Sequence, residues 1–503
     1  MNSKNLRYLW LAIAAALGLF IGGKWNIPLA AWIAPIFAIR FFRDSEKGGR
    51  GFLWLWLASA IPTIIGWRGA TALGSVSPII EPIFFLITIP ISLIPYVIDR
   101  LYYRRFGPSA WLTLVFPISF AAVDFFTASG SPFGTFGAAA YSQRGFVAAM
   151  QIAAVTGLWG IPFVIGWFAA AVNHIWESRS RANRFRLAFA ILLVLILGLG
   201  FGRMQFADQP TQRATVAGFS LPAGKLHEIL GQQQTADDTA LRQAVDELHI
   251  AQLDQIRTLA NDGAAIVVLQ EGAGMGATDQ VAKLTGDVAI IAKEKGIYVV
   301  LPTFDYAKSP PENVVSIIDP TGAVALTHVK YGGNQFEGTL KGDGVLQTVD
   351  TPYGKLSAII CWDADFPNVI KQAGLQDVDL LFVPSNDWRE VKDIHAGMAT
   401  FRAVENGMTV FRQTGEGVSV VADPYGSTLS RVDTFQENAT GFTGIQRVQT
   451  PIGSVKTLYP AVGDAFGYAM VAGLLGLLVG MFVTRKQERD AATALPSEPL
   501  PAS

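Results

Sequence analysis

Three residues of this 503-residue chain have the types that thiol chemistry needs, and each follows an apolar run. Glu271 comes after Ile266-Val-Val-Leu-Gln270, Lys330 after Thr327-His-Val329, and Cys361 after Ser357-Ala-Ile-Ile360. Cys361 is the only cysteine. A thiol attacks an acyl carbon as the thiolate, so it needs a base or a positive neighbour. Glu271 can take the proton. Lys330 can stabilise the thiolate and then the oxyanion of a tetrahedral intermediate, and the backbone N–H of Trp362 offers a second oxyanion donor. The bland alternatives are a small buried hydrophobe at Cys361, a solvated charge at Glu271 beside Gly272, Gly274 and Gly276, and a surface lysine at Lys330. That glycine run lacks the Gly-Lys-Ser/Thr ending of a phosphate loop. Three chemical residues at three strand ends favour a site, because α/β sheets gather their sites where strands end.

Those strand ends belong to a segment from Gln212 to about Tyr459 in which strands and helices alternate. Strands are expected at 214–218, 265–269, 297–302, 380–384, 409–413 and 418–422, with a hairpin of 314–319 and 323–329 around Pro320-Thr-Gly322. Leu356–Cys361 reads as the central strand. Helical spacing covers 240–261, 280–295, 366–373 and 395–406. The pattern predicts an α/β layered domain with helices covering the sheets, and about 250 residues suffice for a large core.

The remainder is a membrane protein's sequence. The whole chain is 50% hydrophobic and only 16% charged, well below the charged fraction of about 25% usual in soluble domains. Apolar runs cover Leu6–Phe42 (broken at Gly22-Gly23-Lys24), Phe52–Trp67, Ile79–Ile98, Ala110–Phe126, Phe146–Trp176 and Leu187–Phe201, and a last one Phe466–Val483. Most reach, or nearly reach, the ~20 residues that cross a bilayer. This gives about seven transmembrane helices within 1–205, the α/β domain over 212–459, a C-terminal span over 464–485 and a disordered tail over 486–503. With the N-terminus in the cytoplasm, sixteen Lys/Arg fall in inside positions and three, Lys24, Arg68 and Arg144, in short outside loops. That asymmetry puts both termini inside and the α/β domain outside. The outer loop Thr127–Arg144 mixes glycine, proline and aromatics without a helical period and suits either a lipid-facing wall or a plain connector. Asp124, at membrane depth near the outer end of its span, is a functional candidate, with snorkelling or helix capping as the alternative. The net charge of −1 gives no sign of a nucleic-acid partner, and the five scattered histidines show no metal-ligand spacing. Neither a metal nor another cofactor is expected.

The order Glu271, Lys330, Cys361 resembles the catalytic triad of the nitrilase (carbon–nitrogen hydrolase) superfamily, which implies an αββα sandwich. Ser385-Asn-Asp-Trp388, His395, Arg402-Ala-Val-Glu405-Asn, Arg412 and Asp423-Pro-Tyr-Gly426 add to the resemblance. Ser129–Gly134, Tyr141-Ser-Gln143 and Gly157-Leu-Trp-Gly160, together with the membrane runs, make the chain similar to apolipoprotein N-acyltransferases, the membrane-embedded branch of that superfamily. The resemblance implies an inner-membrane enzyme, acting as a monomer. It would move an acyl chain from a phospholipid, through a Cys361 thioester, to the N-terminal amine of a diacylated lipoprotein. It further implies oxyanion or supporting roles for Trp362, Glu337 and Asp363, and substrate contacts at Phe133, Asn386 and Trp388. Three features depart from the pattern. Gln270 stands where the family usually has proline, Tyr331-Gly-Gly-Asn-Gln-Phe-Glu337 replaces a Pro-Phe-Gly-Glu segment with the glutamate offset by one residue, and Trp362-Asp363 replaces Tyr-Glu. They leave the triad intact and leave open a membrane-tethered amidohydrolase with water as acceptor, or a non-catalytic scaffold.

Overall fold

Every apolar run is helical in the computed structural model, which describes residues 3–178, 183–206, 210–222, 224–232, 238–436 and 441–494. In lipid a backbone satisfies its own polar groups only as a helix or a closed barrel, so a run of this length and apolarity has one local solution. Five helices are long and apolar enough to cross a membrane: Ile80–Phe106, Trp111–Ser129, Val147–Ser178, Phe185–Phe206 and Ala465–Val483. The other three runs form the short apolar helix Leu6–Gly18 and the helices Pro28–Asp44 and Gly48–Trp67. Arg43, at the end of Pro28–Asp44, is buried between Asp99 at 2.7 Å and Glu177 at 3.3 Å, which ties three helices together at their charged ends. The last helix continues to Ala494, so the tail expected to be disordered from 486 is helical for nine residues more. Ala, Gln, Glu and Arg are good helix formers and extend the span they follow. Residues 495–503 lie outside the described residues.

The soluble half holds two mixed sheets. The first is built from β1 (Gln212–Ser220), β2 (Ile266–Leu269), β3 (Gly274–Gly276), β4 (Tyr298–Asp305), β5 (Glu312–Ile318), β6 (Val324–Val329) and the late strand β13 (Thr443–Ile452), in the order β13-β1-β2-β4-β5-β6 with β3 beside β4. The second holds β7 (Val349–Thr351), β8 (Gly354–Ala358), β9 (Leu380–Asn386), β10 (Thr409–Gly415), β11 (Val418–Ala422) and β12 (Thr428–Asp433), in the order β12-β11-β10-β9-β8-β7. Val216, Val268, Val300 and Ile317 of the first sheet pack against Leu356, Leu380, Phe382 and Phe411 of the second. Helices Asp238–Asn261 and Thr278–Lys295 cover the outer face of the first sheet, and Pro367–Leu375 and Lys392–Asn406 that of the second. The result is the nitrilase-like αββα layering.

The strand expected at Leu356–Cys361 ends at Ala358 and lies second from the edge of its sheet, not at its centre. Cys361 has a φ of 44° and opens a short 3-10 helix, Cys361–Asp365; a residue in the left-handed region cannot continue a strand. The helix Lys225–Gln232 and strands β3, β7, β12 and β13 were not visible in the sequence pattern.

The helix Lys392–Asn406 carries much of the packing between the two halves. Ile394, Met398, Phe401 and Val404 of Lys392–Asn406 share a buried cluster with Tyr141, Met150, Leu158 and Trp159 of the membrane half. Arg402 donates to the Tyr141 hydroxyl at 2.8 Å and pairs with Glu405 at 2.8 Å, all buried. Thr135 donates its N–H and its hydroxyl to the Asp365 carbonyl at 2.8 and 2.9 Å. The loop between membrane helices is thereby fixed to the 3-10 turn that carries Cys361.

Candidate active site

Glu271, Lys330 and Cys361 converge where strands of both sheets end. The Lys330 ammonium, fully buried, donates to Glu271 Oε1 at 2.7 Å and to Glu337 Oε1 at 2.5 Å. Glu271 also accepts from Asn313 Nδ2 at 2.8 Å and from the Asn386 backbone N–H at 3.0 Å, so both its oxygens are aimed. The Cys361 thiol points toward the Asn386 carbonyl, 3.8 Å away. Burial disfavours the Lys330 charge, but Glu271, Glu337 and Cys361 outweigh it and hold its pKa above the usual lysine range. Burial, then the Glu271 carboxylate, push the Cys361 thiol well above its ordinary pKa, against the pull of Lys330. The resting site therefore holds a neutral thiol and a fixed ammonium.

The backbone around the sulfur is strained and braced. A non-glycine residue in the left-handed region costs on the order of 1–3 kcal/mol and persists only where its surroundings enforce it. Asp363 supplies the brace: it accepts the N–H groups of Ile360 (2.9 Å), Tyr331 (2.9 Å) and Gly332 (2.7 Å), and pairs with His328 at 2.8 Å. One buried carboxylate thus ties the cysteine turn to the segment after Lys330. Trp362 lies in the first turn of that 3-10 helix, where N–H groups have no intrahelical acceptor.

The altered segment after Lys330 forms a single helical turn, Asn334–Glu337, flanked by Gly333 and Gly338 at φ of 82° and 70°. The turn points Glu337 at Lys330, so the shifted glutamate still reaches the ammonium. It also places Phe336 against Phe133 of the membrane loop, stacked at 4.7 Å, with Trp362 5.8 Å from each ring. Gly333 cannot carry a side chain, since a Cβ there would lie 2.4 Å from the Trp362 ring. Phe133, Trp362 and Trp388 line a cavity of about 390 Å³ whose other walls, Thr63, Phe84, Phe120 and Asp124 among them, belong to the membrane half. Trp388 is anchored there through its indole N–H on the Gly69 carbonyl at 2.7 Å. Asn386, expected to touch substrate, braces the site through its backbone; its side-chain oxygen is buried and has no hydrogen-bond partner among the described residues.

A second ionic group lies behind the sulfur. His395 contacts Asp387 at 2.9 Å and Asp365 at 3.4 Å, and Arg412 holds both Asp387 oxygens at 2.8 and 2.9 Å. Burial lowers the His395 pKa, but the two aspartates outweigh it and raise it to about 9. Ligand atoms of Cys361, Asp387 and His395 lie within 4.8 Å of one another, a grouping the sequence spacing did not suggest. An imidazolium and an arginine-bound carboxylate do not suit a cation. Asp365 and Phe336 were not singled out from the sequence. No spacing links either to the triad, since a turn and a tertiary contact bring them in.

Residues 229–451 match the family model for carbon-nitrogen hydrolases. These residues form a carbon–nitrogen hydrolase domain. Among curated proteins the chain is 29% identical over 121 residues to the apolipoprotein N-acyltransferase of Borreliella burgdorferi, covering 23% of this chain and 22% of that protein. It is 29% identical over 127 residues to N-carbamoylputrescine amidase of Solanum tuberosum, covering 21% of this chain and 42% of that one. These stretches span from about a fifth to two fifths of those relatives. The apolipoprotein N-acyltransferase of Bradyrhizobium diazoefficiens is 23% identical over 394 residues, 71% of both chains, which is longer than the domain and reaches into the helical half. An amidase from Nesterenkonia sp. of known structure shares 19% identity at a TM-score of 0.41, over 52% of this chain and 97% of its own. The chain is thus similar to carbon–nitrogen hydrolases over residues 229–451 and to apolipoprotein N-acyltransferases over a longer stretch.

Proposed function

We propose that the protein is an integral membrane N-acyltransferase that uses Glu271, Lys330 and Cys361 as its catalytic residues. The observation that carries this reading is the cavity beside Trp362, walled jointly by membrane helices and the hydrolase domain. A site for small soluble amides has no need of a lipid-side wall.

In the first half-reaction the Cys361 sulfur attacks the ester carbonyl of a phospholipid while Glu271 takes its proton. The oxyanion is held by the Lys330 ammonium and the Trp362 N–H. Collapse breaks the ester C–O bond, the leaving alkoxide takes the proton back from Glu271, and a lysophospholipid departs from the thioester. In the second half-reaction a lipoprotein's N-terminal amine attacks the thioester, passes a proton to Glu271 and expels the thiolate. That thiolate recovers the proton, and an amide is released. The buried, neutral resting thiol suits this order, because the proton moves only once a carbonyl is in place. On this reading the chain crosses the bacterial inner membrane eight times with the hydrolase domain outside and both termini in the cytoplasm, as the Lys/Arg asymmetry suggests, and the pocket then faces the outer leaflet, where both substrates reside. Comparing lipoprotein N-termini by mass spectrometry in cells with and without the gene tests the reading: N-acylated termini are expected only with it.

The likeness to an N-carbamoylputrescine amidase supports a second reading, an amidohydrolase with water as acceptor. Release of free fatty acid or ammonia at full rate without any amine acceptor would favour it.

A further inference from the structure

A basic recess lies at the end of the membrane half away from the hydrolase domain. The helix Pro28–Asp44 sets the separation. It starts beside that domain: the Pro28 carbonyl accepts from Gln143 at 3.2 Å, and the next residue, Arg144, lies against Gly397 of Lys392–Asn406. The helix runs for 17 residues, about 25 Å, and ends at Asp44. Just past that end, a cavity of about 80 Å³ is lined by Arg7, Tyr8, Glu46, Lys47, Arg50 and Trp54, among others. Most neighbouring cations are bonded inside the protein. Arg40 and Arg43 hold Glu177, and Arg100 and Arg104 each donate to the Ser45 carbonyl at 2.7 Å. Lys47 and Arg50 differ: among the described residues the side chain of neither makes a hydrogen bond or an ion pair. Arg7, the third cation of the recess, is 3.6 Å from Glu46 and lies 5.1 Å over the Tyr8 ring, and Tyr8 meets Trp54 edge-on at 6.3 Å.

Three cations facing one carboxylate leave the recess two charges positive. Like charges around a small space repel, and an anion between them removes that cost. Tyr8 and Trp54 are side chains that favour the headgroup level of a bilayer. Trp54 also opens an exposed apolar stripe, Trp54, Ile61 and Ile65, along one face of the helix Gly48–Trp67. That face meets lipid where the helix crosses the bilayer. A ligand with an anionic head and a hydrocarbon tail matches recess and stripe together, whereas a free phosphate matches the recess alone. The ammonium of a zwitterionic headgroup would meet Lys47 and Arg50, with Glu46 already on Arg7. We propose that Arg7, Lys47 and Arg50 bind the phosphodiester of an anionic diacyl phospholipid, of the phosphatidylglycerol type, in the leaflet away from the hydrolase domain. The bound lipid clasps the ends of three membrane helices and takes no part in the chemistry at Cys361. The site rests on the membrane reading of these helices and not on the acyltransferase reading.

The test uses the full-length protein in maltoside detergent, with Lys47→Gln, Arg50→Gln and the two combined. Phosphatidylglycerol and phosphatidylethanolamine of equal chain length are titrated, and bound lipid is counted by native mass spectrometry. Phosphatidylglycerol affinity should fall about fivefold with either substitution and about thirtyfold with both, while phosphatidylethanolamine binding stays unchanged. Removing two cations of the last helix, Arg485→Gln with Lys486→Gln, should leave both affinities as they were. Excess inorganic phosphate should not displace the lipid. Equal loss for both lipids, no loss for either, or the same loss in the last-helix control overturns the proposal. Displacement by inorganic phosphate also overturns it, since the recess would then hold an anion without a tail. The unfolding midpoint in lipid-free detergent should be the same in the combined variant as in the parent protein. A lower midpoint would assign the two side chains to the fold itself and contradict the lipid site. If no acyl transfer is found while the lipid preference and its loss persist, the acyltransferase reading fails and this site stands.

Discussion

Two of the buried charge clusters in this molecule, one at Lys330 and one at Arg402, are built for different ends. At Lys330 an ammonium sits between two carboxylates, beside a thiol held in the left-handed region, with glycines on both sides of the turn that supplies Glu337. At the seam, Arg402 sits between Glu405 and Tyr141, in a shell of Ile394, Phe401, Trp159 and Leu158. Burial alone does not tell them apart, since Lys330, Arg402 and Glu405 are all 1% exposed or less. Access does. The first cluster adjoins a cavity through Trp362, while the second is enclosed by side chains that join the two halves. Perturbed charge points to a site only when a substrate can reach it.

The sharpest break of this comparison is Cys361→Ala. It should abolish acyl transfer, a loss of about 10⁴-fold or more, and leave the melting temperature nearly unchanged. Glu271→Gln should cost about 10²–10⁴-fold in kcat, the usual range for a positioned base. Arg402→Met should reverse the balance. It strands Glu405 in the seam and should destabilise the protein by about 3–5 kcal/mol, read as a lower unfolding midpoint in detergent, and a second change, Glu405→Gln, should restore part of it. Should Arg402→Met instead reduce turnover at unchanged stability, the seam would belong to the catalytic machinery.

A pH prediction separates the ion pairs behind the sulfur from the triad. The folded state holds the His395 proton to about pH 9, against 6.5 for an ordinary histidine. A base whose folded pKa is raised adds stability that is complete below the unfolded value and fades as pH rises through the folded one. On the order of 3 kcal/mol should therefore be lost between about pH 6.5 and 9. His395→Gln should flatten that slope in a denaturation series. The smallest effect is expected of Glu337→Gln, which leaves Glu271 on Lys330 and should lower kcat about tenfold.

The strand ends were legible in the sequence because apolar runs such as Ile266–Leu269 stop at a charged or polar residue. Glu271 and Lys330 could be named for that reason, and the helices of the membrane half for theirs. The turn at Cys361 was not legible: a left-handed φ at a non-glycine residue has no composition signal, so the run before it read as unbroken strand. His395, Asp387 and Arg412 come from three elements and meet only in the fold. The turn Asn334–Glu337 was hidden for another reason. Its pairing of Phe336 with Phe133 depends on how the membrane loop is tied to Asp365 through Thr135.

The central claim is that Cys361 carries the acyl group. The direct measurement is peptide mass spectrometry of the protein after incubation with a phospholipid bearing an isotope-labelled acyl chain. The account predicts a hydroxylamine-sensitive mass gain equal to that chain on the peptide containing Cys361, discharged when an amine acceptor is added. Label on any other residue, or label that persists in Cys361→Ala, would contradict it.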